Sequence, residues 1–424
     1  MVEVESAFLI LAIIIFIGYF GLMFFKKTKI SEILVLMLIG LFIGPIFCWV
    51  GSFEISLFEG FLPFFASFTL MVILFEGGMH LNFFKTIKDL PGSFFFTLII
   101  FLSTLILTCA VWFVFTKDLL GGLLLGAILG GTSSAVIIPL INNTSAKEET
   151  KALLGIESAL TDSLCVITAV TLAQIIVMVN SGNVSGVSLE SVGSTLLAAF
   201  SVAAVVGAVL GLVWVNLLSF FEKKPYEYLL TLAALMFLYS VVETFGGNGA
   251  IAALVFGIVL GNSEDLTRML RMNPRKIEDK IKSFQMEVSF LVRTFFFVYL
   301  GLLFKLKFLG DYLVVLIAFL LIIVILIARV IGTKLMVRIN CFYKDDFMFL
   351  TTLCARGLAA AGLISFPIIV SVYPKDTFDK IVAIIFLVIF ISNIVTTLGV
   401  FLSEKIKSDR SKIENISSNS NLLK

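Results

Sequence analysis

Long runs of apolar residues alternate with short polar connections along most of the chain. Most runs reach the roughly 17–25 residues that an α-helix needs to cross a bilayer. A membrane β-barrel would instead show short segments of strict alternation. The pattern therefore predicts an all-α polytopic membrane protein with about 13 transmembrane helices. The predicted spans are 5–25, 32–50, 57–79, 92–116, 119–141, 151–179, 190–220, 226–245, 247–262, 284–304, 310–336, 346–372 and 379–402.

Composition and charge place these spans in a cell membrane with a defined orientation. The chain is 59% hydrophobic and 14% charged, with a mean hydropathy of +1.10. If the N-terminus lies outside, cytoplasmic segments hold 23 of the 31 basic residues and external loops hold five. The positive-inside rule therefore predicts an outside N-terminus and a cytoplasmic C-terminus. Membrane lipid is the expected surrounding, and no nucleic-acid partner is predicted.

Two spans share a cluster of small residues followed by apolar residues and a proline. The stretches are LGGTSSAVIIPL (129–140) in the fifth span and ARGLAAAGLISFP (355–367) in the twelfth. Small residues can simply allow close helix packing. Their matching positions, seven spans apart, favour an inverted repeat of spans 4–6 and 11–13 with a broken helix in each half.

The sixth span contains two acidic residues in an apolar run. Asp162 lies eleven residues past the cytoplasmic Lys151, which places it about 16 Å deep, near the midplane. A charged aspartate there costs about 2.5–3.5 kcal/mol, so a functional role is the default expectation. Glu157 lies about 140° around the helix from Asp162. Pairing with Arg329 or with Arg293 would neutralise Glu157 and join two helices.

Oxygen atoms near Asp162 could bind a hard monovalent cation. Thr161 precedes Asp162, and Ser158 lies one turn earlier on the same face. If the fifth span unwinds at GTSSA, the carbonyl of Thr132 and the hydroxyl of Ser133 become further ligands.

Two more charged residues lie inside predicted spans. Glu76 in LFEGGMHL is an additional acid, nearer the cytoplasmic end of its span. Arg356 lies ten residues inside the twelfth span and could balance the partial charges of opposing helix ends.

The chain resembles a sodium/proton antiporter of the NhaP type, in the monovalent cation:proton antiporter superfamily. The motifs are GIESALTDSLCV, GGTSSAVIIP, LFEGGMHL, LIARVIG and ARGLAAAGL. The resemblance implies an NhaA-like fold with two crossing broken helices, and a homodimer whose core domain moves against a dimerisation domain. The implied division assigns 1–91 and 183–309 to dimerisation and linking helices, and 92–182 and 310–402 to the core. Residues 403–424 are polar and rich in Ser, Asn and Lys, which predicts a short disordered cytoplasmic tail.

The resemblance also implies roles for individual residues. Asp162 would carry the proton or the cation, and Glu157 and Arg329 would form a structural ion pair. The side chain of Ser158 and the main chain of Thr132 would be cation ligands, with Glu76 as an additional acidic ligand. The chain departs from the family pattern at Thr161, where asparagine is usual, and at Ser133, where an acid is usual. Sodium is therefore only slightly favoured over potassium.

The predicted function is secondary antiport, in which protons and a monovalent cation compete at Asp162. One charge replaces one charge, so electroneutral exchange is predicted. The alternatives are a potassium/proton antiporter of the same fold and a cation channel or uniporter, although no repeated selectivity-filter motif is present. An intramembrane enzyme is disfavoured because the chain has no HExxH. No cofactor is predicted beyond the transported Na⁺ (or K⁺, Li⁺) and H⁺.

Overall fold

A computed structural model describes residues 12, 15–16, 18–21, 23, 31–50, 56–80, 91–180, 189–221, 226–269, 279–364 and 367–422. Within these residues the fold is entirely helical, as the apolar pattern predicts. The α-helices are α1 (Glu32–Val50), α2 (Ser56–His80), α3 (Pro91–Thr116), α4 (Leu119–Leu129), α5 (Ser134–Asn142), α6 (Glu148–Asn180), α7 (Leu189–Phe221), α8 (Glu227–Thr244), α9 (Gly249–Gly261), α10 (Ser263–Met269), α11 (Asp279–Leu303), α12 (Tyr312–Ile339), α13 (Phe347–Thr352), α14 (Leu358–Ile364), α15 (Pro367–Val370) and α16 (Lys375–Leu422).

The predicted spans and the observed helices agree closely in their positions, but the count of thirteen is not confirmed. Seven described helices are long and apolar enough to cross a membrane, or eight if the bent pair α9–α10 is one span. Most of the predicted first span lies outside the described residues. The fifth and twelfth predicted spans are each divided into short helices, which individually cannot cross the bilayer.

These two divided spans form the predicted pair of crossing broken helices. The first break, residues 130–133, separates α4 from α5, and the second break, residues 353–357, separates α13 from α14. The breaks touch directly, because the Ser133 amide donates to the Ala355 carbonyl at 2.9 Å. Close approach also requires glycine at position 357, where a Cβ would lie 2.5 Å from Ser133 Cβ.

Buried apolar side chains form two clusters. The larger one contains side chains from α3–α6, α12–α14 and α16, and also from α1, α2 and α11. The smaller one lies among α2, α7, α8 and α9. Helix α2 contributes to both clusters and so joins them. The domain boundaries at 91, 182, 309 and 402 remain predictions.

The segment after residue 402 is helical, which corrects the prediction of a disordered tail. Helix α16 continues to Leu422. Glu404 accepts a hydrogen bond from the Ser145 amide at 2.5 Å, and Lys407 donates to the Ser145 carbonyl at 2.9 Å. Lys407 also pairs with the buried Asp346. These contacts bind the start of the segment to the loop between α5 and α6 and to Asp346 at the start of α13. The polar composition of the segment did not indicate them.

Candidate functional site

Asp162 lies on α6 beside the first residue of α5. Its Oδ2 atom accepts hydrogen bonds from Ser134 Oγ at 2.7 Å and from the Ser134 amide at 3.2 Å. The amide belongs to the free N-terminus of a helix, where a negative charge is stabilised. Asp162 is only partly buried. Its carboxylate is therefore held at the start of α5, in a residue that is not fully enclosed.

Glu157 differs from Asp162 because its side chain is completely buried and paired. Arg329 Nη2 lies 3.3 Å from Glu157 Oε2, and neither side chain is exposed. The Thr132 hydroxyl lies 2.9 Å from both carboxylate oxygens and donates to them. Arg329 Nη2 also donates to the carbonyl of Leu353 in the second break. The Glu157–Arg329 pair thus joins α6, α12 and both breaks.

The hydroxyl groups of Ser158 and Thr161, both predicted as ligands, are engaged in hydrogen bonds. Thr161 Oγ1 accepts from the Thr132 amide at 3.1 Å and donates to the Ser158 carbonyl at 3.2 Å. Ser158 Oγ donates to the Gly155 carbonyl at 3.1 Å. Ser158, Thr161 and Thr132 are fully buried, and Ser133 is nearly so. The structure therefore gathers these residues around the first break, with Ser134 rather than Ser158 in contact with the Asp162 carboxylate.

Arg356 connects the two breaks. Its guanidinium Nη1 donates to the Gly131 carbonyl at 2.5 Å, and its side chain is fully buried. Nε and Nη2 have no acceptor among the described residues. A buried guanidinium thus donates to a main-chain carbonyl of the first break at the crossing, and its role in balancing helix-end charges stays a prediction.

Glu76 is a half-buried residue on α2, a helix that contacts α6. Gln285 Nε2 donates to the Val72 carbonyl, one turn before Glu76, at 3.3 Å. Among the described residues, no hydrogen bond or ion pair joins Glu76 to Asp162. The structure places Glu76 on a neighbouring helix without bringing it into the hydrogen-bonded cluster.

The sequence reasoning missed two parts of this site. Ser134 is the second serine of GTSSA, and only the helix start at Ser134 shows that its amide and hydroxyl face Asp162. Three polar residues of α16, namely Ser392, Asn393 and Thr396, contact the second break. The sequence feature that could have indicated these three residues is their polarity within the apolar run ISNIVTT (391–397).

Comparison with known proteins gives one family over nearly the whole chain. The family model described as sodium/hydrogen exchanger, transmembrane, matches residues 11–402. A probable Na⁺/H⁺ antiporter 2 of Methanocaldococcus jannaschii is 26% identical over 313 residues, which cover 68% of this chain and 69% of that protein. The K⁺/H⁺ antiporter NhaP2 of Shewanella oneidensis is 30% identical over 216 residues, 49% of this chain. That match spans only 36% of the length of NhaP2.

A solved structure shows the same fold. The sodium proton antiporter MjNhaP1 of Methanocaldococcus jannaschii, at pH 8, superposes with a TM-score of 0.73 and 22% identity. The match covers 93% of this chain and 99% of that protein. At this identity the likeness concerns the fold alone.

Proposed function

Because this chain belongs to the sodium/hydrogen exchanger family, we propose that it is a secondary active antiporter that exchanges protons for a monovalent cation. The observation that carries the proposal is the environment of Asp162. The residue is only partly buried, and its carboxylate is held at the free N-terminus of α5 by the amide and hydroxyl of Ser134. A carboxylate in this position can hold a proton or a cation.

Exchange follows from competition at this single carboxylate. A proton on Asp162 removes the negative charge that attracts the cation, and a bound cation excludes the proton. Glu157 cannot serve as a second carrier without leaving Arg329, since the pair is fully buried at 3.3 Å. One proton therefore exchanges for one monovalent cation, and the exchange is electroneutral.

The proposed cation ligands surround the first break. The Asp162 carboxylate and the carbonyl of Thr132 supply oxygen atoms, and Ser134 Oγ, 2.7 Å from the carboxylate, can turn a lone pair toward the ion. Ser158 would join after its hydroxyl leaves the Gly155 carbonyl. Sodium is slightly favoured, and potassium is the alternative. The relatives include proteins named for each ion.

The proposed setting is a cell membrane, with the N-terminus outside and the C-terminus in the cytoplasm. Alternating access would come from movement of residues 92–182 and 310–402 against the remaining helices, in a homodimer. The protein transports ions and catalyses no covalent reaction, and its only small-molecule partners are the exchanged ions. No nucleic-acid partner is proposed.

The test is proton flux in proteoliposomes that contain a pH-sensitive dye. Sodium, lithium or potassium is added, and dequenching reports proton movement against the cation. Asp162→Asn should abolish the signal, whereas Glu148→Gln should retain it because Glu148 lies exposed at the start of the same helix.

Three results would contradict parts of the proposal. Cation-dependent proton flux in Asp162→Asn would remove Asp162 as the shared carrier. Cation uptake without opposite proton movement would identify a channel or uniporter. A strong dependence of the exchange rate on an imposed membrane voltage would refute electroneutral stoichiometry.

A further inference from the structure

Three side chains on one face of α16 bind the backbone of the second break. Ser392 Oγ accepts from the Arg356 amide at 3.0 Å, and Asn393 Nδ2 donates to the Arg356 carbonyl at 2.7 Å. Thr396 Oγ1 accepts from the Cys354 amide at 3.1 Å and donates to the Thr352 carbonyl at 3.3 Å. All three side chains are fully buried. We call Ser392, Asn393 and Thr396 the α16 triplet.

The triplet replaces hydrogen bonds that a continuous helix would make itself. Between Thr352 and Leu358 the chain leaves the helix, so amides and carbonyls lose their partners four residues away. At membrane depth no lipid group can satisfy them, and unwound backbone persists only where protein or water does so. The spacing of residues 392, 393 and 396 puts the three side chains on one helix face, directed at the break.

Arg356 links the α16 triplet to the first break. Its amide and carbonyl are both bound by the triplet, while its Nη1 atom donates to the Gly131 carbonyl at 2.5 Å. Gly131 directly precedes Thr132, whose carbonyl is a proposed cation ligand. A shift of the Arg356 backbone would therefore move the first break relative to Asp162.

Asn393 is itself held by a residue outside α16 and the second break. Its Oδ1 atom accepts from Ser31 Oγ at 2.8 Å, immediately before α1. Nδ2 also donates to the Ile389 carbonyl at 2.8 Å. The oxygen and the nitrogen of the Asn393 side chain are thus both hydrogen-bonded, which fixes the orientation of the side chain toward Arg356.

We infer that Ser392, Asn393 and Thr396 are positioning residues of the exchange site. Ser392 and Asn393 hold the Arg356 backbone directly, and Thr396 holds the backbone just before it. Through Arg356 they act on the first break and so set cation affinity and selectivity. This inference rests on the proposed function. The residues do not touch the transported ion. They determine where the Thr132 carbonyl lies with respect to the Asp162 carboxylate.

The chain offers matched controls on the same helix. Thr397 adjoins Thr396 and is also buried, but its hydroxyl donates to the Asn393 carbonyl of its own helix at 2.9 Å. Ser403 is likewise buried and donates within the helix, to Gly399. Thr397→Val and Ser403→Ala therefore remove the same chemical groups as Thr396→Val and Ser392→Ala without touching the break.

The experiment measures the apparent KM for sodium and for potassium, and the maximal exchange rate, in proteoliposomes. Ser392→Ala leaves the Arg356 amide without its acceptor, and we expect a KM for sodium about tenfold higher. Thr396→Val should have a smaller effect, since the Cys354 amide also contacts the Thr352 carbonyl at 2.9 Å. The sodium-to-potassium KM ratio should change in both variants, and Thr396→Ser should restore it.

The outcomes separate this inference from the proposed function. Unchanged KM values and ion ratio in Ser392→Ala and Thr396→Val, with active controls, would overturn the inference alone. Loss of maximal rate with an unchanged KM ratio would also overturn it, because that is the signature of a purely structural role. If the unsubstituted protein shows no cation-dependent proton flux, the proposed function fails and the inference fails with it. If Ser392→Ala does not fold, Thr396→Val and its Thr396→Ser rescue decide the question.

Discussion

Substitution of Glu157 by glutamine should destabilise the protein strongly and leave exchange in place. Glutamine keeps the size of the side chain and an oxygen that can accept from Thr132 Oγ1, which lies 2.9 Å from Glu157 Oε1. It removes the negative charge beside Arg329, so a fully buried guanidinium loses its counter-charge. Asp162→Asn should show the opposite pattern, with normal stability and no exchange.

The magnitude follows from the geometry of the pair. At 3.3 Å and an effective dielectric constant of about 20, the attraction is about 5 kcal/mol. Removal of one partner of a buried pair typically costs about 3–5 kcal/mol. An unfolding entropy of about 2.1 cal/mol/K per residue, over 424 residues, converts this to a fall in melting temperature of about 3–6 °C.

A double-mutant cycle isolates the interaction. Arg329→Met alone should also be destabilising, because it leaves Glu157 charged and removes the donor to the Leu353 carbonyl. The double variant should be more stable than the sum of the single effects predicts, with a coupling of at least about 2 kcal/mol. The double variant should still be less stable than the unsubstituted protein, because the hydrogen bond to the Leu353 carbonyl is lost.

The assay is thermal unfolding of the purified protein in detergent, alongside proton flux in proteoliposomes. Strictly additive single effects would show that the two charges do not stabilise each other. A Glu157→Gln protein with a normal melting temperature and no exchange would refute the division of roles, since Glu157 would then be a working acid.

Two further predictions concern Gly357, where the two breaks cross, and Asp346, directly before α13. Gly357→Ala should impair folding or exchange because the added Cβ would overlap Ser133. Gly362→Ala should be tolerated because the nearest atom to its added Cβ is 3.5 Å away. Expression level and proton flux distinguish the two variants. Asp346→Asn should lower the melting temperature by several degrees and Asp345→Asn by little. Asp346 is fully buried and accepts from the Lys147 amide and Thr150, whereas Asp345 is 60% exposed.

The sequence predicts the helices and the breaks because both depend on local features. Apolar run length determines the spans, and the small residues around Thr132 and Gly357 mark where the helices unwind. The position of Asp162 inside a long apolar helix could also be predicted from the chain. Each of these inferences needs only neighbouring residues.

Contacts between distant segments could not be predicted in the same way. Ser134 reaches Asp162 across 28 positions, and Ser31 reaches Asn393 across 362. Periodicity places a polar side chain on a helix face, but it does not say which backbone atom that face meets. The helical segment near Lys407 was missed for the same reason, since its contacts lie on a loop more than 250 residues earlier.

Other protein groups bind the backbone of both breaks, and the first break also adjoins a helix terminus that is directed at a carboxylate. The backbone of the second break is hydrogen-bonded to α12 at Leu353, to the first break at Ala355 and to α16 at Arg356. In the first break, the amide of Ser134 is directed at Asp162 itself. Hydrogen bonds to other protein groups hold the second break in place and so make it a scaffold. The helix terminus after the first break is directed at Asp162, the proposed carrier of the proton or the cation, so we expect a change of charge at Asp162 to act directly on α5.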